Sequence, residues 1–118
     1  MAKDITILAH DTYEGYEFLI CHNRINPTAY VKVPNTHPFY GKNYDKIDIN
    51  VHGGLTFSGD RVNILGKSDA GNFWIGWDYG HLGDYLAIPQ ISFGQDGHQW
   101  SMAEILEHVK DVIKQLSK

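Results

Sequence analysis

Hydrophobic residues in the first half of the chain fall in short β-branched and aromatic runs, each closed by polar turn residues. Ile5-Thr6-Ile7-Leu8-Ala9 ends at His10-Asp11-Thr12, and Glu14-Gly15 then leads into Tyr16-Glu17-Phe18-Leu19-Ile20-Cys21, a pattern that predicts a β-hairpin. Asn26-Pro27 punctuates the chain before Thr28-Ala29-Tyr30-Val31-Lys32-Val33, which Pro34 closes as a third strand. Alternation puts Tyr30 and Lys32 on one face of that strand and Val31 and Val33 on the other. From Pro34 to Asp45 the Pro, Asn, Gly and Tyr content reads as a structured surface loop. Ile47-Asp48-Ile49-Asn50-Val51 alternates as a half-buried strand, Gly53-Gly54 marks a bend, and Leu55-Thr56-Phe57-Ser58 continues beyond it. Val62-Asn63-Ile64-Leu65 reads as a short edge strand, and Phe73-Trp74-Ile75-Gly76-Trp77-Asp78-Tyr79 is the most β-prone run in the chain.

The period changes near the end. Ser101 before Glu104 is a capping-box pattern, and Ile105, Leu106, Val109, Val112, Ile113 and Leu116 recur at three- and four-residue spacing, with Glu104, Glu107, Lys110, Asp111 and Lys114 off that stripe. These features predict a helix over 101–117 with one apolar face on a sheet and the other in water. Strand-rich sequence over 1–93 followed by one helix gives an α+β class: a single domain over 1–118, with a mostly antiparallel sheet and the C-terminal amphipathic helix packed on one face.

Composition agrees with one folded core. Counting Gly in place of Tyr, about 47% of the 118 residues are apolar, in the range of an ordinary globular domain, and the chain is too short for two. No apolar stretch approaches the ~20 residues of a membrane span, and Met1–Asp4 opens no signal segment, so a soluble cytoplasmic protein without a membrane partner is expected. The net charge of −4, with Arg24 and Arg61 the only guanidiniums, argues against duplex nucleic acid as a partner. Cys21 is the one cysteine, which rules out an internal disulfide or a multi-cysteine zinc site and fits a reducing compartment.

Chemistry concentrates in Trp77-Asp78-Tyr79-Gly80-His81-Leu82-Gly83-Asp84-Tyr85, where the strongest strand runs into a Gly-punctuated loop. Asp78, His81 and Asp84 have a D-x-x-H-x-x-D spacing, and His52 sits beside Gly53-Gly54. Two carboxylates and two imidazoles suit a divalent metal or an acid/base pair, because they offer oxygen and nitrogen lone pairs and a group that titrates near neutrality. The competing structural reading has Asp78 and Asp84 capping turns, His81 donating to a carbonyl and His52 bracing the bend. Gly53-Gly54 could also bring backbone N–H groups to an anion. Aromatic residues make up 13% of the chain, with Tyr40 in the Pro/Gly loop and Trp77 and Tyr79 on a shared strand face, where rings either stack on a ligand or fill the core. Cys21 lies in an apolar strand, where burial raises a thiol's pKa and limits access. His10-Asp11 reads as turn chemistry, and His22, His98 and His108 read as surface histidines.

Three blocks in order, His37-Pro38-Phe39-Tyr40-Gly41-Lys42 with Tyr44, Val51-His52-Gly53-Gly54-Leu55-Thr56-Phe57, and Trp74-Ile75-Gly76-Trp77-Asp78 with His81-Leu82-Gly83-Asp84, resemble a family of small bacteriophage and prophage proteins. The resemblance covers roughly residues 15 to 85 and the C-terminal helix, and it carries over no activity. The sequence departs from that family at Tyr79, where a small residue or Cys is expected. What the resemblance implies is a phage setting in the host cytoplasm, with action against host defence by binding a host protein or sequestering a nucleotide signal.

The leading expectation is therefore a binding protein without a cofactor. Its pocket or oligomer interface, lined by Tyr40, Lys42, His52, Gly53, Gly54, Trp77, Asp78, His81 and Asp84, would hold a small polar, nucleotide-like ligand, with Lys42 or Arg61 meeting a phosphate. One alternative is a metal-dependent hydrolase with His52, Asp78, His81 and Asp84 as ligands. The other is a protein-interaction inhibitor of a host defence factor, and either binding role is compatible with a homo-oligomer.

Overall fold

Five antiparallel strands and one helix make up the described part of the protein, a computed structural model that describes residues 6–22, 26–59, 73–80 and 100–117. Strand β1 (Thr6–Tyr13) and β2 (Tyr16–His22) form the expected hairpin. Its two-residue turn has Glu14 at φ 52 and Gly15 at φ 83, the backbone sign that matches the right-handed twist of the flanking strands. Strand β1 runs through His10-Asp11-Thr12 to pair Tyr13 with Tyr16, so these residues are strand and not turn. The polar alternation there reflects an exposed sheet edge.

Strand β3 (Pro27–Lys32) pairs with β2, and β5 (Trp74–Asp78) pairs with both β3 and the three-residue β4 (Phe57–Gly59), giving the order β1-β2-β3-β5-β4. The two faces separate as alternation predicts. Phe18, Ile20, Ala29, Val31, Ile75 and Trp77 lie on the face that receives the helix, whereas Leu19, Cys21 and Trp74 pack with Tyr30 and Phe57 on the other.

The helix α1 (Met102–Leu116) begins at Ser101, whose side chain accepts from Glu104 N–H while Glu104 accepts from Ser101 N–H, the reciprocal capping box read from the sequence. Ile105, Val109, Val112, Ile113 and Leu116 are buried against the sheet and pack chiefly over β3. Each such side chain contributes roughly 1.5–3 kcal/mol relative to exposure, so this stripe is the main attachment of helix to sheet. His37 strengthens it by donating from Nε2 to Leu116 O at 2.8 Å while its Nδ1 accepts from Phe39 N–H at 3.0 Å.

One expected strand is absent. Ile47 and Ile49 are buried and Asp48 and Asn50 exposed, as the alternation predicts, but among the described residues the segment has no strand neighbour. Gln115 takes that place: its Oε1 accepts from Asn50 N–H at 2.8 Å and its Nε2 donates to Asn50 O at 2.7 Å. A helix side chain thus satisfies both backbone groups that a neighbouring strand would have paired. A 3-10 turn (Tyr44–Lys46) precedes the segment. The expected strand at Val62-Asn63-Ile64-Leu65 lies outside the described residues.

Gly76 leaves no room for a side chain between β5 and β3: a Cβ there would stand 2.5 Å from Tyr30 Cδ1 and 3.0 Å from Ala29 O. Gly76→Ala should therefore destabilise the protein by about 1–3 kcal/mol through forced displacement of the Tyr30 ring, read as a lower urea midpoint with unchanged slope.

Candidate functional site

Four rings from four different segments meet at one end of the helix–sheet seam. Tyr79 follows β5 and is fully buried; His52 sits at the bend after the 47–51 segment; Trp100 precedes the helix cap; His108 lies in the middle of α1. His52 stacks on Tyr79 with ring centroids 5.0 Å apart and planes 9° from parallel, and His108 lies 5.8 Å from Tyr79 at 5°. The two imidazoles are 6.1 Å apart and also near parallel. Trp100 crosses all three at 51–59°, 4.8 Å from His52, 5.1 Å from His108 and 5.6 Å from Tyr79. His52, Trp100 and His108 are each only half-buried, so part of this ring surface faces outward.

A chain of hydrogen bonds runs beneath the rings. Trp77 Nε1–H donates to Tyr79 Oη at 3.0 Å, and Tyr79 Oη lies 2.7 Å from His108 Nδ1. An indole nitrogen only donates, so the phenol oxygen accepts there, and its own proton is available to His108 Nδ1 when that nitrogen is bare. Burial is the main force holding His108 neutral to lower pH than an ordinary imidazole; the nearby His52 ring adds to it, and the carboxylates of Asp111 and Glu104 oppose both. Donation from the Tyr79 hydroxyl to Nδ1 corresponds to the Nε2–H tautomer of His108, with that donor directed away from Tyr79.

The bend that presents His52 depends on backbone shape. Gly53 and Gly54 have φ of 69 and 80, and Gly54 N–H donates to Val51 O at 2.8 Å. Side chains rarely tolerate two consecutive residues in this region, which accounts for the glycine pair without an anion.

Of the residues singled out in the sequence, His52 and Trp77 come together through Tyr79. Asp78 alternates onto the opposite face of β5, where its Oδ1 accepts from Gly80 N–H at 3.0 Å and its Oδ2 from Thr56 Oγ1 at 3.3 Å, a turn-capping arrangement. Tyr40 packs on Phe73 at 5.5 Å and Lys42 lies 5.9 Å above the Phe39 ring, both within the packing of the 34–46 loop. His81, Asp84, Arg61 and His98 lie outside the described residues. Among the described residues, no three His, Cys, Asp or Glu side chains gather as a metal site. Cys21 is buried, and desolvation pushes its thiol up to about 11.

Sequence reading placed His108 on the surface and gave Trp100 no role. The signal for His108 was present: it is three residues after Ile105 and four before Val112, which puts it beside the apolar stripe. Comparison with protein-family models, curated proteins and solved structures yields no match.

Protonating His108 must occur against burial, so the unfolded chain binds that proton more readily than the folded one. The folded state should keep its full stability above the ordinary histidine value of 6.5 and lose it as pH falls through and below that value. Denaturant titrations between pH 8 and 5 should show this loss in the wild type and a flatter profile in His108→Gln.

Proposed function

We propose that the protein binds, without turning over, a small ligand that carries a planar heteroaromatic ring, with nucleotide-like molecules as the favoured class. What supports this reading is the half-open surface formed by His52, Trp100 and His108 around the buried Tyr79 ring. A base stacked on such rings gains about 1–3 kcal/mol per contact, and a neutral His108 protonated on Nε2 would offer a donor to a ring nitrogen or carbonyl. The floor is rigid before any ligand arrives, because Trp77, Tyr79 and His108 are hydrogen-bonded in series across sheet and helix, and preorganisation spares the ordering cost of binding.

A binding role asks for no activated nucleophile, in keeping with a thiol sealed in the sheet. The resemblance to phage proteins supplies a setting in the host cytoplasm, where holding a defence signal requires affinity and no chemistry. With a net charge of −4, recognition would rest on the base more than on phosphate.

Titration calorimetry against cyclic nucleotides and ADP-ribose-type nucleotides tests the reading. Saturable heat with at least one of them is expected, with affinity reduced roughly 10- to 100-fold in Trp100→Ala, the loss of one stacking partner. Absence of saturable heat across the panel, or binding that Trp100→Ala leaves unchanged, would overturn it.

A further inference from the structure

A second hollow opens away from the ring cluster, where the β1–β2 hairpin meets the end of β3. It has a volume of about 390 Å³ and is lined by Thr12, Gly15, Tyr16, Glu17, Lys32 and Pro34. Alternation places Glu17 and Lys32 on the sheet face opposite the helix, since their neighbours Phe18 and Val31 belong to the helix-side core. The volume is within the ~300–1,000 Å³ usual for small-ligand sites.

Its wall carries one charge of each sign. Lys32 Nζ lies 3.3 Å from Glu17 Oε1, with the side chains 33% and 31% exposed. Glu17 also accepts from the His10 ring through its other oxygen, so the carboxylate is fixed from two sides. The hydrogen bond from His10 and the Lys32 ammonium outweigh partial burial and keep this carboxyl below the ordinary range, so it is ionised at neutral pH. A half-exposed ion pair of this kind is worth little by itself, and a ligand that offers a partner to each member can displace it at small cost.

We propose that this hollow binds a free α-amino acid, its carboxylate on Lys32, its ammonium on Glu17 and its side chain against Pro34. The fit rests on spacing and polarity. An α-amino acid carries its two charges on one carbon, with nitrogen and carboxyl carbon roughly 2.5 Å apart, so laid antiparallel beside the adjoining Lys32 and Glu17 it presents each charge to its opposite. A simple anion would meet Glu17, and a simple cation would meet Lys32; a zwitterion meets neither repulsion. The Tyr16 side chain lies on the helix side, its hydroxyl donating to Leu116 O at 3.5 Å, so Pro34 is the apolar wall on the face of Glu17 and Lys32. This site is independent of the ring cluster and of the function proposed for it.

The test is a two-dimensional amide NMR titration of the full chain with free L-phenylalanine and with its N-acetyl amide, which keeps the side chain and lacks both charges. Saturable shifts at Thr12, Gly15, Glu17 and Lys32 are expected with the free amino acid, and binding at least tenfold weaker with the capped form. Lys32→Met should remove the response, with unchanged dispersion elsewhere in the spectrum showing that the variant is folded. Lack of saturation by the free amino acid, equal binding of the capped form, or shifts confined to other residues would each overturn the proposal, and the first two comparisons use the wild type alone.

Discussion

The hydroxyl of Tyr79 imposes the constraint around which the helix–sheet seam is arranged. Tyr79 is fully buried among Ile75, Trp77, Ile105 and Val109, in a core that is otherwise apolar, and a phenol buried there without partners would cost on the order of 1–3 kcal/mol. Two partners meet it from opposite sides, the Trp77 indole from the sheet and the His108 imidazole from the helix. The second partner fixes which helical turn faces the end of β5. It also draws a titratable ring into the seam, where burial favours its neutral form.

From that bond the rest of the cluster follows. His108 held against Tyr79 leaves space for Trp100 at the helix entry, and the capping box at Ser101 sets the direction in which the chain arrives there. His52 completes the stack because the Gly53-Gly54 bend turns the chain and Gln115 anchors the preceding Asn50 to the helix. Helix and strand end are thus joined by side-chain hydrogen bonds where the rings meet, and the loop is tied to the helix nearby at Gln115.

Much of the fold was legible because its signals are local. The hairpin turn at Glu14-Gly15, the alternation of β3 and the stripe and cap of the helix each depend on residues within a few positions of one another, and all appear in the structure. The segment 47–51 shows where that reasoning stops: its alternation reports burial correctly, but the choice between a strand partner and the Gln115 amide is made 65 residues away. The site was only partly legible for the same reason. Trp77 and Tyr79 were assigned to one face, yet the ring that completes the site, His108, stands on an element remote in sequence. Strand alternation also separates Asp78 from His52, although the two looked related as members of one group of metal-binding residue types.

The protonation of a single ring tests the account most directly. Long-range proton–nitrogen correlation on ¹⁵N-labelled protein at neutral pH should show His108 neutral, with the proton on Nε2 and Nδ1 bare, as acceptance from the Tyr79 hydroxyl requires. A proton on Nδ1, or a charged ring, would contradict the assignment and remove the hydrogen-bonded floor on which the proposed binding surface stands.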